Sequence, residues 1–318
     1  MLSAFRGAAY VLVACGAVAL LAPGAGAQTY GFATLPPGTL NHTTASAVSK
    51  VLKEKAGLNV LVQPTAGETV LIPMVGRGEA EIGIANAPEI AAALEGGRNK
   101  DVRLIGTAHP LRTGFWVRKD TPMKTMADLK GKRVPMGYSA MRVLDAMTRG
   151  ALATADLTEK DVSLILVPNV VRGADDFASG AADAFFFAFG GPKVREVDAT
   201  VGGIRALEIN EAGMPAARKI FPYGYLLDAA PGPVFIGVEK PMKVYTFDNV
   251  LLTNAKVPDD IVYKIIETLD ANKPDLIAVQ PVLREFAAAS LYKQYEMPYH
   301  PGALKYFKDK GIEAKPLQ

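Results

Sequence analysis

Residues 63–88 read QPTAGETVLIPMVGRGEAEIGIANAP, and this stretch decides the fold. It begins as the exit of one strand, turns at Pro64 to Gly67, continues as a short amphipathic helix and ends in an apolar strand over Ile82 to Ala85. Strand ends and helix starts therefore meet at one edge of a sheet. In open α/β sheets this carboxyl edge is the usual ligand site, because N–H groups at helix N-termini point there.

The same alternation extends towards the N-terminus. A strand is predicted over Tyr30 to Thr34, a helix over Thr44 to Ala56 and a strand over Asn59 to Gln63. This order of strands and helices is typical of a mostly parallel sheet covered by helices. We therefore expect an α/β lobe in this part of the chain.

A second unit of similar layout begins near Lys132. Its predicted elements are a strand over Arg133 to Met136, a helix over Ala140 to Arg149, a strand over Val162 to Val167, a short helix ending at Asp175 to Ser179 and an apolar strand over Ala182 to Phe189. A shift of 102 residues lays Gly78 on Gly180 and Glu81 on Asp183. The pattern indicates two lobes of like layout, although any two strand-helix-strand units share such features.

Two extended segments, Arg103 to Arg118 and Pro233 to Leu252, are interpreted as the crossing strands of a hinge. Beyond them, three helices are predicted to pack back on the first lobe, over Pro258 to Asn272, Pro274 to Ser290 and Pro301 to Lys310. We expect residues 28–112 and 236–318 to form the first lobe and residues 113–235 the second.

The first 27 residues are typical of a secretory signal. Arg6 precedes an apolar run over Gly7 to Ala22, and the small residues Ala25-Gly26-Ala27 follow. The run is shorter than the roughly 18 to 20 apolar residues that span a bilayer, which argues against a membrane anchor. Export to the periplasm with cleavage after Ala27 is expected. The alternative is a lipoprotein attached through Cys15, because LVAC at residues 12–15 resembles a lipoprotein cleavage box.

Composition excludes several functions. Cys15 is the sole cysteine, so residues 28–318 can form no disulfide, thiol nucleophile or cysteine metal site. Without Arg6, 34 basic and 32 acidic residues remain with no long run of one sign, which indicates no nucleic-acid partner. The 291 residues after the signal are enough for a large core and suit two lobes.

The common catalytic motifs are absent from the sequence. His42, His109 and His300 lie far apart and match no metal-ligand spacing, and no Walker loop occurs. Residues 137–141, GYSAM, lack the final glycine of a G-x-S-x-G nucleophile elbow. We expect no enzymatic activity and no cofactor.

Several motifs resemble those of one receptor family. The strings QPTAG at residues 63–67 and GEAEIGIA at residues 78–85 resemble the QPTGGS and GEADLGI elements of the TAXI family, the solute receptors of tripartite ATP-independent periplasmic (TRAP) transporters. Further likenesses are MADLKGKRV at 126–134, DAFFF at 183–187 with Gly190 and Pro192, VPDDIVY at 257–263 and HPGA at 300–303. The likeness runs from about Tyr30 to Gly311.

The resemblance implies a type II periplasmic-binding-protein fold, in which two α/β lobes joined by a two-strand hinge close on a small solute. The solute is commonly an organic anion or an amino acid, and the implied partner is a TRAP-type membrane permease that uses an ion gradient rather than ATP. A second hypothesis is a sensory module that presents its solute to a membrane sensor kinase. Two loops that should face the ligand, residues 33–39 and 137–142, depart from the glycine-rich loops of the family.

Candidate ligand-binding residues lie at the predicted sheet edges. Thr65 and the N–H groups that follow it suit a carboxylate, although Thr65 could equally cap the helix. Asn86 could bind a ligand or form a turn. Arg142 could pair with a carboxylate through two hydrogen bonds or remain a solvated surface residue.

Aromatic residues complete the candidate set. In the FFFAF run over residues 185–189, only Phe187 and Phe189 are expected near a ligand, since the other positions suit a buried strand. Trp116 is expected to wall the cleft or to pack under the hinge. The complete set of predicted ligand-binding residues is Thr39, Asn41, Thr65, Ala66, Gly67, Asn86, Ala87, Trp116, Tyr138, Ser139, Arg142, Phe187, Phe189 and Gly190.

Overall fold

The computed structural model describes residues 28–317, so the predicted signal and Cys15 lie outside the described residues. The strands are β1 (Thr29–Thr34), β2 (Asn59–Pro64), β3 (Ile82–Asn86), β4 (Val102–Arg118), β5 (Arg133–Met136), β6 (Ser163–Leu166), β7 (Phe185–Ala188), β8 (Ile204–Ala206), β9 (Tyr225–Ala229) and β10 (Met242–Asn254). The α-helices are α1 (Leu40–Ala56), α2 (Glu68–Arg77), α3 (Ala87–Leu94), α4 (Arg142–Ala153), α5 (Val170–Ala178), α6 (Pro192–Val201), α7 (Met214–Ile220), α8 (Asp259–Ala271), α9 (Lys273–Val279), α10 (Ala288–Leu291) and α11 (Pro301–Asp309).

A mixed sheet of eight strands runs through the protein in the order β2-β1-β3-β10-β4-β7, with β8 beside β4 and β9 beside β10. The strands β1, β2 and β3 are parallel, whereas β10 runs antiparallel to β3 and β4. The strands β5 and β6 form a separate parallel pair. The predicted α/β class is therefore confirmed.

The strands β4 and β10 cross from one lobe to the other. Residues 249–253 of β10 pair with β3 in the first lobe, and residues 242–246 pair with β9. Likewise β4 pairs with β10 over residues 102–113 and with β7 and β8 over residues 113–118. Two adjacent strands thus form the hinge, as predicted.

The second crossing strand is shorter than predicted. It begins at Met242 rather than at Pro233, and residues 230–241 contain no strand. Pro231 and Pro233 have no N–H group to donate to a strand ladder. The segment packs on Trp116 instead, whose Nε1 donates to the Ile236 carbonyl at 2.8 Å.

The helix predictions need three corrections. Helix α1 begins at Leu40 rather than Thr44, because the Thr39 hydroxyl accepts from the His42 N–H at 3.2 Å and caps the helix. The single helix predicted over residues 274–290 is wrong: α9 ends at Val279, a 3₁₀ helix covers Pro281–Glu285, and α10 follows. Helices α3, α6 and α7 were not predicted at all.

Alternating side chains divide the core of the first lobe. Phe32 and Ile84 pack towards α1, α8 and α11, whereas Ala33 and Ala85 lie in the apolar cluster that includes Leu71 of α2. All five residues of β3 are buried, and burial on both faces explains its apolar run over residues 82–85. Within residues 28–317, no helix is long and apolar enough to cross a membrane.

A buried ion pair ties the C-terminal segment to the hinge. Asp248 of β10 accepts from Lys293 Nζ at 2.7 Å, from the Tyr225 hydroxyl at 2.8 Å and from the Tyr295 hydroxyl at 2.6 Å. Asp248 and Lys293 are only 7% and 8% exposed. The two hydroxyls and the ammonium satisfy both carboxylate oxygens, which a buried charge requires.

The lobes also meet across the cleft beside the hinge. Their hydrogen bonds run from Lys193 N to Gly38 O (3.0 Å), from Asn169 Nδ2 to Ala66 O (3.2 Å), from Thr69 N to Ala140 O (3.2 Å) and from Val143 N to Glu89 Oε1 (2.7 Å). The closest approach is at Gly67, where an added Cβ would lie 2.0 Å from Ala140 O. The lobes are therefore closed on one another.

We expect the substitution Asp248→Asn to lower the free energy of unfolding by about 3 kcal/mol or more, because Lys293 would remain buried without its carboxylate. Urea denaturation followed by circular dichroism measures this change. Asp228→Asn is the matched control, because Asp228 pairs with Lys243 at the surface and exposed pairs contribute little. Equal losses in the two variants would contradict the structural role of the buried pair.

Gly67→Ala should separate the lobes without unfolding them, since the nearest atoms to the new methyl group, Ala140 O, C and Cβ at 2.0, 2.7 and 2.8 Å, all belong to the second lobe. Small-angle X-ray scattering should give a larger radius of gyration for this variant, with an unchanged circular dichroism spectrum. Gly232→Ala is the control, because its added Cβ meets only Ala230 O at 3.9 Å. A Gly67→Ala protein as compact as the wild type would show that this contact does not set the closed arrangement.

Candidate functional site

The candidate site lies where the two lobes meet beside the hinge. A cavity of about 30 Å³, which we call the inner cavity, is lined by apolar side chains of both lobes, including Leu111, Met141 and Phe187. Its polar lining residues are Thr39, Asn41, Glu68, Asn86 and Thr113. One water needs about 10 to 15 Å³ of such space, so a solute larger than one or two waters requires the lobes to separate.

An opening of about 220 Å³, which we call the outer groove, lies between α2, α3 and α4. Its lining includes Glu68, Glu89, Arg98 and Arg142. Glu68 borders both the inner cavity and the outer groove. Its carboxyl therefore stands between the enclosed space and the surface.

A third space of about 260 Å³, the hinge cavity, is lined by Arg112, Phe189 and the loop at residues 230–235. It is largely apolar. The Arg112 guanidinium already pairs with Glu285 Oε1 at 2.6 Å and donates to the Asp228 carbonyl at 3.1 Å. Arg112 and Glu285 thus balance each other, whereas Arg284, the third charged residue of the lining, donates to the Pro281 carbonyl at 3.0 Å and forms no ion pair within residues 28–317.

Glu68, the first residue of α2, places a buried carboxyl at the inner cavity. The residue is 1% exposed. Its Oε1 accepts from Asn86 Nδ2 at 3.0 Å, whereas no polar group within residues 28–317 reaches Oε2. Burial, with a smaller contribution from the nearby Glu89 carboxylate, raises the pKa of Glu68 to about 8. In the closed protein this carboxyl is mostly protonated at neutral pH.

Glu89 is a second buried carboxyl, and it hydrogen-bonds to the other lobe. Its N–H donates to Asn86 Oδ1 at 3.0 Å, and its Oε1 accepts from the Val143 N–H at 2.7 Å. Burial raises the pKa of Glu89 to about 7, although the Val143 N–H and Arg142 act in the opposite direction. Because Val143 belongs to the first turn of α4, this carboxyl has its partner only when the lobes touch.

Three predicted residues of the first lobe make structural hydrogen bonds. Thr39 donates to the Pro36 carbonyl at 2.7 Å, and Thr65 donates to the Thr34 carbonyl at 3.0 Å. Asn41 exchanges hydrogen bonds with Asn249 at 3.3 and 3.0 Å. Of these three, Thr39 and Asn41 line the inner cavity and Thr65 does not.

The other predicted residues of the first lobe lie at helix starts or at the lobe boundary. Ala66 and Gly67 contact the second lobe through Asn169 and Ala140. Asn86 caps α3, where Ala87 is the first residue, and its side-chain amide holds Glu68. Asn86 therefore both lines the inner cavity and orients Glu68.

Three predicted residues belong to the second-lobe loop at residues 137–142, and one of them is buried while the other two are exposed. Tyr138 is buried and its hydroxyl donates to the Pro135 carbonyl at 2.8 Å, so it packs within the lobe. Ser139 is exposed. Arg142 is exposed at the outer groove beside Glu89, not at the inner cavity.

The predicted aromatic residues are buried, and they separate into two places. Phe187 lines the inner cavity, whereas Phe189 lines the hinge cavity and packs on Trp116 with 4.5 Å between ring centroids. Trp116 is fully buried, in keeping with the packing alternative. Gly190 has a positive φ of 82°, which favours glycine, and an added Cβ would lie 2.6 Å from Val282 Cγ2. Backbone conformation and close packing therefore both favour glycine at this position.

Neither Glu68 nor Glu89 was among the predicted site residues. A signal for Glu68 was present, because QPTAGE carries a glutamate where the QPTGGS element ends in serine. No sequence motif pointed to Glu89, because it lies in the first turn of α3, a helix that was not predicted.

The site combines two buried carboxyls with an apolar enclosure formed by both lobes. Within residues 28–317, no three His, Cys, Asp or Glu side chains come together as metal ligands. The arrangement can enclose a small molecule and accept hydrogen bonds from it.

Three solved structures illustrate the likeness of this fold to known proteins. One is a structure of a periplasmic transporter, with 15% identity over 88% of this chain and 92% of that chain and a TM-score of 0.59. Another is the alkanesulfonate-binding protein SsuA from Xanthomonas axonopodis pv. citri bound to MOPS, with 15% identity over 89% of each chain and a TM-score of 0.52. A third is the amino acid ABC transporter substrate-binding protein AbpA from Streptococcus pneumoniae bound to L-arginine, with 12% identity over 81% of this chain and 95% of that chain and a TM-score of 0.50.

At these identities the likeness concerns the fold alone, and it confirms the predicted type II periplasmic-binding-protein fold. The sequence itself is matched by the model of the NMT1-like family over residues 32–311. This match covers nearly all the residues that the structure describes. The chain therefore belongs to the NMT1-like family.

Proposed function

We propose that this chain is an exported solute receptor that encloses a small organic acid or amino acid between its lobes and delivers it to a TRAP-type membrane permease. The observation that carries the proposal is the closed cleft, in which both lobes line one cavity and hydrogen-bond across it. Proteins with this fold bind small solutes, which supports a receptor without catalytic activity.

The mechanism is hinge closure about β4 and β10. In the open form a solute reaches the inner cavity from the cleft, and contacts from both lobes then favour closure. The lobes are proposed to consist of residues 28–112 with 236–318 and of residues 113–235. The change of β4 partners at Thr113 supports the first of these boundaries.

The choice of a TRAP-type permease rests on the resemblance of QPTAG, GEAEIGIA and HPGA to TAXI receptors. Delivery would occur when the permease recognises the closed form, in which surfaces of both lobes are held in one orientation. Export by a signal over residues 1–27 would place the receptor on the same side of the membrane as its solute.

The direct test is native mass spectrometry of protein purified without denaturation, with identification of any released molecule. We expect one organic acid or amino acid per chain. Adding that compound at about a hundredfold excess over its dissociation constant should raise the melting temperature by roughly 5 °C or more. A protein that carries nothing, and that responds to no member of a carboxylate and amino-acid panel, would contradict the receptor function.

Closure without solute should depend on pH. Glu68 and Glu89 have a pKa of about 8 and about 7 in the closed form, against an ordinary value of 4.5. A raised carboxyl pKa means that the closed form binds protons more tightly. The closed form is therefore most favoured over the open form below pH 4.5, where both carboxyls are protonated. It loses this preference as pH rises through 7 and 8.

Small-angle X-ray scattering between about pH 5 and about pH 8.5 should therefore show the solute-free protein expanding as pH rises. The double variant Glu68→Gln, Glu89→Gln should remove most of this dependence. Glu54→Gln, which changes an exposed glutamate on α1, should behave as the wild type. If the double variant expands with pH as the wild type does, the two carboxyls do not control closure.

A further inference from the structure

The partnerless oxygen of Glu68 distinguishes it from the other acidic residues. Six buried side-chain polar atoms within residues 28–317 have no hydrogen-bond partner, and Glu68 Oε2 is the one that belongs to a residue lining the inner cavity. A buried carboxyl oxygen without a partner costs free energy in the closed protein. A ligand that donates to this oxygen removes that cost.

We call the two buried carboxyls, Glu68 and Glu89, the acidic pair, and neither forms an ion pair with a cation of the described residues. Within the described part of the chain, no Lys, Arg or His forms an ion pair with Glu68 or Glu89. The two arginines of the outer groove are exposed: Arg142 is near Glu89 without pairing with it, and Arg98 donates to the carbonyls of Glu95 and Ala92. Glu68 therefore has no balancing cation on the protein side of the cleft, and Glu89 has only the exposed Arg142 nearby.

We infer that the solute binds through a protonated nitrogen held by Glu68, with Glu89 beside it, while its apolar part occupies the inner cavity. This inference rests on the proposed receptor function and selects, from its two solute classes, amino acids or other amines over simple organic acids. The apolar lining from Leu111, Met141 and Phe187 suits the hydrocarbon part of such a molecule.

The charges of Glu68 and Glu89 disfavour a solute carboxylate at the position proposed for the solute nitrogen. A carboxylate solute would place a third acidic group beside two that are already buried, and like charges repel strongly where water is excluded. A neutral Glu68 could donate its proton to a solute acceptor, but Glu89 would remain unbalanced. An ammonium group balances the charge and fills the vacant acceptor at once.

The experiment compares compounds that share a carbon skeleton and differ in charge. Butylamine, butyrate and 2-aminobutyrate are one such set, extended to larger aliphatic and aromatic skeletons and to any solute released from the native protein. Thermal shift identifies binders, and calorimetry measures their affinity for the wild type, Glu68→Gln and the control Glu54→Gln.

We expect the binders to carry an ammonium group, and Glu68→Gln to weaken them by roughly 30-fold or more while Glu54→Gln leaves them unchanged. Their affinity should rise between about pH 6 and about pH 8.5 as Glu68 loses its proton, whereas a solute that accepts from neutral Glu68 would bind more weakly over that range. Two results would overturn the inference and leave the receptor function unaffected. Either all binders lack an ammonium group, or Glu68→Gln binds the ammonium compounds as tightly as the wild type does. An absence of binders of every class would contradict the receptor function itself.

Discussion

Gly67 and Ala140 bring the backbones of the two lobes together beside the inner cavity. An added Cβ at Gly67 would lie 2.0 Å from Ala140 O, so the approach requires a glycine. Glu68 is the next residue, and the same approach removes its carboxyl from water. The state of the acidic pair is therefore a consequence of how closely the lobes meet.

The hinge determines where that meeting occurs. Buried Asp248 and Lys293 tie β10 to the C-terminal segment, and the reciprocal amides of Asn41 and Asn249 join α1 to the same strand. His109 of β4 adds a further contact, because its Nε2 lies 3.3 Å from Asn249 Nδ2. Burial lowers the pKa of His109, so this part of the hinge stays uncharged at neutral pH.

The acidic pair and the closed cleft act against each other. Burial disfavours ionised carboxyls, so closure without solute favours protons on Glu68 and Glu89. Under the proposed function, a solute that brings its own positive charge would replace the protons and keep the cleft closed. Closure would then signal a bound solute to the proposed membrane partner.

Much of the fold follows from sequence pattern alone. The strands at residues 30–34, 59–63 and 133–136 were predicted nearly to the residue, because alternation and turn residues are local signals. Pattern failed where a tertiary contact or a proline decided the outcome, as at residues 233–241 and 274–290. Thr39, Asn41, Asn86 and Phe187 line the inner cavity, and their contact with a ligand stays a prediction.

The site's chemistry was much less predictable. Arg142 looked like a carboxylate partner, yet it lies exposed at the outer groove. The carboxyl of Glu68 is unusual because it is buried beside Glu89, and Glu89 accepts the Val143 N–H from the other lobe. Such properties depend on contacts between residues far apart in the chain, which periodicity and spacing do not report.

A crystal structure of the protein with its solute bound is the most direct test of this account. We predict a solute nitrogen within about 3 Å of Glu68 Oε2, with both lobes in contact with the molecule. A solute that turns a carboxylate towards Glu68, or that occupies only the hinge cavity, would contradict the account.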